Sequence, residues 1–342
     1  MTEQPFRSVA DLLAAGILHI AEKPPANWRA LDAVPGYTVP LLAQDYPALT
    51  ANMWNLAYER LGLPDRNVMV IASGDDLGVI LGTFRRDPKY RGGGVGVGLK
   101  ELTASLLNDI TPSLARAMAA VNIMKRLADG RLIGTNTDGP GYAVALEEKF
   151  AARGESLGEK KALILGARGS ASAIAFALAE RDMELTILNR KEDLAHELAE
   201  RVNTYFEREV AVAGGRARIL DAIPRQDVVV ATLTIPAEYS ALGTGLDQPV
   251  SDQSVGENLA ASAEVLIRGK PTLIVSDIRY PGDEFATIRQ ARELGFATLD
   301  GKPMVVNQAI EAFWWLYGEE LASQGRRKED VATIMREAAG MV

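Results

Sequence analysis

The 342-residue chain has no cysteine and only two histidines, His19 and His196. The first lack excludes a disulfide framework, a thiolate zinc site, an iron–sulfur cluster and a cysteine nucleophile. The second leaves little for a histidine-rich metal centre, and neither histidine stands in an HExxH or HxH pattern. Both read as structural, and no metal is expected. Long hydrophobic runs are missing too: nothing approaches the ~20 apolar residues of a membrane-spanning helix. The N-terminus lacks the basic start and small-residue cleavage site of a secretory signal. There is no excess of positive charge either, since 37 Lys and Arg face 45 Asp and Glu for a formal charge of −8. Neither a nucleic acid nor an anionic membrane is therefore an expected partner. These absences leave a cytoplasmic protein, and its length and 47% hydrophobic content support about two domains.

What is present is an alternation of elements. An N-terminal arm, residues 1–35, carries a helical stretch over 11–22 and then the breakers Pro24, Pro25 and Pro35. The pattern predicts a helix over 49–63, a buried strand over 67–72, the glycine-rich run RGGGVGVGLK and a helix over 114–120. Strands over 122–127 and 132–136 follow, joined at Asp129-Gly130. A linker helix over 141–153 leads into a repeated strand, turn and helix from 160 to 298: KKALILG, ELTILNR, DVVVAT, TLIVSD and FATL, with helices between. Near-continuous apolar strands separated by helices predict a parallel sheet covered on both faces. The end of the chain, from about Met304, is helical, and its Phe313-Trp314-Trp315 cluster reads as core.

The turn after KKALILG is the strongest local signal. Gly166, Ala167, Arg168, Gly169 and Ser170 stand between an apolar strand and a helix, where a dinucleotide diphosphate meets helix N-terminal amides. Arg168 occupies the position of the middle glycine in GxGxxG; it either donates to phosphate or narrows the pocket. A doubly wound domain without nucleotide stays open as the alternative. The next strand ends in Asn189, Arg190 and Lys191 rather than in an acid. Adjacent cations suit a 2′-phosphate, because arginine offers a planar fork of donors, so NADP is favoured over NAD. A solvated helix start is the plainer account of the same pair.

Ahead of that domain stand Lys100, Asn122 and Asp138, the last in Gly134-Thr135-Asn136-Thr137-Asp138-Gly139. In this order and spacing the chain resembles the shikimate dehydrogenase family, which has a lysine closing a short strand, an asparagine in an AVNT-like stretch and a GxNTDG segment. Asp277-Ile278-Arg279-Tyr280 is similar to the family's DxxY, and Asp300-Gly301 through Gln308 to its DGxxMxxxQ segment. The resemblance spans about residues 37–320. It implies an α/β chain of two domains: an N-terminal α/β substrate domain (1–140 with 303–342) and a doubly wound Rossmann-type NADP-binding domain (141–302). The C-terminal helices return to the first, and the active site lies in the cleft. It further implies hydride transfer between NADPH and a ring ketone, Lys100 and Asp138 as the acid–base pair, and Asn122, Gln308 and Tyr280 on the substrate. Thr232 and Gly301 would join the loop residues on the cofactor. A ketone gaining a hydride needs a proton and a positive neighbour, and lysine supplies both.

The departures fall on one end of the substrate. The family's Ser-x-Ser-Pro, which binds a carboxylate, is replaced by Gln44-Asp45-Tyr46-Pro47. A close acid there would repel a carboxylate by about 1 to 4 kcal/mol, while Gln44 or Tyr46 could still hydrogen-bond it or another substituent. The Asn-x-Thr-x-Pro before the lysine gives way to glycines, and Asn-Ala-Thr becomes Val230-Ala231-Thr232. A polyhydroxylated cyclic polyol or hydroxy acid is the expected substrate, with quinate-like, amino-substituted or uncharged rings standing beside shikimate. A catalytically silent nucleotide- or ligand-binding relative with a regulatory role and a folate-type methylene dehydrogenase remain as alternatives, the NTDG and Gln308 segments speaking against the latter. Monomer and homodimer are both compatible with the sequence.

Overall fold

Short strands and the proline between them give the first part of the chain two sheets instead of one. In the computed structural model, which describes residues 6–21, 34–44, 49–107 and 109–341, the arm supplies α1 (Val9–Ala14) and β1 (Leu18–Ile20). There follow β2 (Tyr37–Thr38), β3 (Leu41–Leu42), α2 (Leu49–Leu61), β4 (Arg66–Asn67), β5 (Val70–Ala72), α3 (Leu77–Arg86) and β6 (Tyr90–Gly94). Then come α4 (Lys100–Leu106), β7 (Asp109–Ile110), α5 (Ser113–Ala117), β8 (Ile123–Arg126) and β9 (Leu132–Thr135). One sheet has the order β4-β2-β6-β8-β9-β7 and the other β1-β5-β3.

Three expectations are corrected here. The helix expected over 11–22 ends at Ala14, because Gly16 takes φ +71° and the amides of Gly16 and Ile17 turn back onto Leu13 O and Leu12 O. His19 therefore lies on a strand. The single strand expected over 67–72 is two: its partner is interrupted at Pro40, so β4 pairs with β2 while β5 pairs with β3 and, on its other side, with β1. Lys100 opens α4 and does not close a strand.

The second part of the chain starts with α6 (Asp138–Ala151) and continues with β10 (Lys161–Leu165), α7 (Gly169–Ala179), β11 (Glu184–Asn189), α8 (Glu192–Phe206), β12 (Ala211–Gly215) and α9 (Ile219–Ala222). It goes on through β13 (Val228–Ala231), α10 (Asp252–Ile267), β14 (Ile274–Asp277), α11 (Ala286–Glu293) and β15 (Ala297–Leu299). All neighbouring pairs in its sheet are parallel, in the order β12-β11-β10-β13-β14-β15. Counted from β10 this is 3-2-1-4-5-6, the doubly wound order of dinucleotide-binding folds. The central strands are buried except at Lys161, the first residue of β10, which is why they read as apolar runs. β12 and α10 carry no comparable signal: AVAGG is small and short, and α10 is dominated by small and polar residues.

Two helices complete the chain, α12 (Gly301–Ser323) and α13 (Lys328–Ala338). The chain divides into two units, 1–137 with 306–342 and 138–305. Within the first, α12 is fastened by Phe313, edge-on to Trp54 at 5.4 Å, and by a buried chain of hydroxyls. Tyr317 donates to Asp65 Oδ2 at 2.8 Å, Tyr58 donates to Tyr317 at 3.3 Å, and Thr38 meets Tyr58 at 2.9 Å. Burial holds both phenols well above their ordinary titration range. Of the aromatic cluster only Phe313 is core; Trp314 and Trp315 are half-buried. Among the described residues no helix is long and apolar enough to cross a membrane.

Candidate active site

The antiparallel pair β8–β9 brings together residues that are 15 positions apart. Asn122 immediately precedes β8 and Thr137 lies two residues past the end of β9, with Ile123 opposite Thr135. The Asn122 carboxamide accepts from the Thr137 amide at 2.8 Å, and its Nδ2 donates to Thr137 Oγ1 at 3.0 Å. The same Nδ2 faces Gln308 Oε1 on α12 at 3.5 Å. Asn136 donates to Ala120 O at 2.8 Å and fixes the turn that follows the strand. Asn122, Asn136, Thr137 and Asp138 are all buried, with at most 6% exposure, in a chain whose polar residues are mostly outside. Lys100, half-buried, joins the group through its backbone: its carbonyl accepts from Val121 N–H at 3.1 Å, next to Asn122. Asp138 is one peptide bond beyond Thr137 and opens α6.

Sequence reasoning misses Thr137 as a functional residue, although it lies inside the quoted segment. It holds the asparagine through both its amide and its hydroxyl, so the threonine of NTD orients Asn122.

In the second unit, the loop after β10 and the residue after β13 meet where the strand order reverses, the crevice position of open α/β sheets. Thr232 N–H and Oγ1 both donate to Leu165 O, at 3.0 and 2.9 Å. Gly166 follows with φ +123°, and a Cβ on it would run into Thr232 Oγ1. Arg168 has φ −101°, a backbone open to any residue, and caps α7 with its side chain exposed. Its replacement of glycine therefore adds no backbone strain. Gly169 and Ser170 form the first turn of α7, and amides at such a helix start suit a diphosphate.

At the end of β11, Asn189 donates to Lys191 O at 2.9 Å, so its side chain shapes the turn. Arg190 and Lys191 are exposed, and Arg190 pairs with Asp247 at 3.1 Å. That partner is 57 residues away and has no signal in the sequence. The cradle and the exposed cations fit a phosphorylated dinucleotide.

Comparison with known proteins gives the family. No protein-family model matches the chain. A shikimate dehydrogenase (NADP+) of Methylobacterium radiotolerans is 32% identical over 234 residues, covering 68% of this chain and 74% of that one. One of Listeria innocua serovar 6a is 31% identical over 271 residues, covering 78% and 85%. The chain belongs to the shikimate dehydrogenase family. A solved shikimate 5-dehydrogenase of Thermus thermophilus, in complex with NADP(H) and shikimate, superposes with a TM-score of 0.63 at 26% identity, over 88% of this chain and 98% of that one.

The remaining shikimate dehydrogenase positions are less concentrated. Gln44 is exposed just beyond β3, and Tyr46 lies outside the described residues. Tyr280 is half-buried in the second unit, three residues past β14. The strand end there is held by Asp277, fully buried, which takes Arg279 Nε at 2.9 Å and Nη2 at 2.6 Å. Gly301 donates its amide to Arg279 O at 3.2 Å, which ties the start of α12 to that same turn.

Proposed function

We propose that the protein is an NADP-dependent dehydrogenase of the shikimate dehydrogenase type, which interconverts a ring ketone and its alcohol on a polyhydroxylated cyclic substrate. The observation that carries this reading is the convergence of Asn122, Thr137 and Gln308, with Lys100 and Asp138 each adjoining that cluster along the backbone. In this reading residues 1–137 and 306–342 hold the substrate, and 138–305 hold the dinucleotide.

NADPH, when bound, supplies the hydride that the carbonyl carbon receives. The residues that would hold it are Gly166, Ala167, Arg168, Gly169 and Ser170 at the diphosphate, Asn189, Arg190 and Lys191 at the 2′-phosphate, and Thr232 and Gly301 further along. Lys100 delivers a proton to the ketone oxygen as charge builds there, and takes it back in the oxidation direction. Asp138 accepts a hydrogen bond from the lysine or from the neighbouring hydroxyl. Gln308 can both donate to and accept from a second hydroxyl, and Asn122, oriented by Thr137, can do the same with the capacity left to it. Tyr280 adds a donor. Gln44 and Tyr46 stand where the family has serines, and they favour a substrate whose carboxylate is absent, displaced or differently held.

The cofactor cradle gives a first expected result. Gly166→Ala would place a methyl against Thr232 Oγ1 at a φ that side chains rarely adopt, and should weaken NADPH binding about tenfold or more by fluorescence titration. Unchanged affinity would show that the loop does not carry the diphosphate.

The function itself is tested by offering shikimate, quinate, aminoshikimate and neutral cyclitols with NADP and with NAD, and following reduced-cofactor absorbance. Turnover of at least one member with NADP is expected, with shikimate no better than the substituted or neutral rings. Efficient turnover of shikimate would mean that the Gln44–Tyr46 replacement is tolerated by the usual carboxylate. Failure to bind NADPH at all would favour a silent relative.

A further inference from the structure

The ends of β11 and β12 lie side by side, with Asn189 opposite Gly215, and each is followed by a cation, Arg190 and Arg216. The two arginines have different tasks. Arg216 is turned inward: its Nη2 donates to Gly243 O at 2.8 Å and to Ala241 O, and burial draws its titration down to about 10, which still leaves it charged near neutrality. It pins the segment between β13 and α10. That segment is held from its other side as well. Asn258 receives Ser240 N–H at 2.8 Å and donates to Thr244 O at 2.8 Å, and the buried Tyr239 hydroxyl reaches Ser254 Oγ at 2.8 Å. A turn closed by Gln248 N–H on Gly245 O then presents Asp247 outward. The Asp247 carboxylate meets Arg190 Nη1 at 3.1 Å, both side chains being about two-thirds exposed, at 67% and 70%.

An exposed ion pair of this kind adds little to stability. Its position matters more, because Arg190 is the donor that the proposed function assigns to the 2′-phosphate. A fixed carboxylate on that guanidinium takes up one of its donors and repels an incoming phosphate. It is also an acceptor for a ribose hydroxyl, the group that an NAD site supplies from the end of the second strand and that β11 lacks. We infer that Asp247 is a specificity-determining residue that lowers this chain's preference for the phosphorylated cofactor, by competing for Arg190 and by accepting from an unphosphorylated ribose. This rests on the reading of the second unit as the dinucleotide-binding one.

The experiment is equilibrium binding of NADPH, NADH, 2′,5′-ADP and 5′-AMP to the wild-type chain, Asp247→Asn and Asp247→Ala, with thermal unfolding as a check on folding. Both variants should bind NADPH and 2′,5′-ADP about three- to tenfold more tightly, an effect that shrinks as salt is raised. NADH and 5′-AMP should bind no better than to wild type. Equal shifts for phosphorylated and unphosphorylated ligands, or no shift in either, would overturn the role of Asp247 while leaving the dinucleotide site in place. Absence of NADPH binding by the wild-type chain would overturn the function and this inference together.

Discussion

Lys100→Ala is expected to lower kcat by about two to four orders of magnitude, the usual contribution of a positioned proton donor, while the Kd for NADPH stays within about twofold of wild type. The substitution separates chemistry from folding. Lys100 is the first residue of α4, a position where alanine is a good helix former, and its carbonyl accepts from Val121 N–H at 3.1 Å. That bond survives any change of side chain, so the turn leading into Asn122 should stay where it is. A variant that folds as wild type does, checked by thermal unfolding, is the expected outcome. A lysine that served only to pack against its neighbours would give the opposite pattern, a lowered Tm with activity recovered on cooling. Small alkylamines added to the alanine variant give a further readout: partial rescue is expected if the missing group is a proton donor. Turnover undiminished in Lys100→Ala would remove the lysine from the mechanism, whatever the substrate proves to be.

How much of this is legible in the sequence follows from how local each signal is. The parallel sheet is readable because β13, β14 and all of β10 but Lys161 are buried and so appear as near-continuous apolar runs. β12 is not, because AVAGG carries neither bulk nor alternation; it is a strand because its backbone pairs with β11. Alternating Val and Gly has the period of a strand, which is why the sequence puts Lys100 at a strand end. The backbone instead turns at Gly98, with φ +88°, and enters a helix at the lysine. The order Lys100, Asn122, Asp138, Gln308 is visible along the chain, but the partners of these side chains are not. Thr137 bonds Asn122 only because β8 and β9 close as a hairpin, and Asp247 finds Arg190 only through a loop pinned by Arg216. Chemistry-bearing residue types can be read along a chain, whereas the groups that orient them are set by tertiary contacts.

Gly139→Ala is the second large effect expected, and it falls on stability. In Asn136-Thr137-Asp138-Gly139 the aspartate invites attention, yet the glycine beside it is the more constrained residue. It lies in the first turn of α6, which packs against α7, and a Cβ at this position would overlap the carbonyl oxygen of Ala173, come within 2.7 Å of its carbon and sit 3.0 Å from Ala177 Cβ. The obstacle is mostly backbone in the middle of α7, which has no rotamer by which to give way. α7 itself, GSASAIAFALA, is built mostly from small residues and buried from Ala171 to Ala179. The helices are close because neither has bulk at the crossing. Forcing one methyl into such a contact costs about 1 to 3 kcal/mol, and for a unit of this size that lowers the Tm by roughly 2 to 12 °C. Activity should fall as well, because a shift of α6 carries Asp138 with it. Gly256→Ala is the matched control. Gly256 stands inside α10 with nothing within 4 Å of a new Cβ, so the same change there should raise the Tm slightly, by the helix propensity alone. Thermal unfolding of the two variants beside wild type decides the matter. If Gly139→Ala matched Gly256→Ala, the close approach of α6 and α7 could not be the reason for a glycine in this motif.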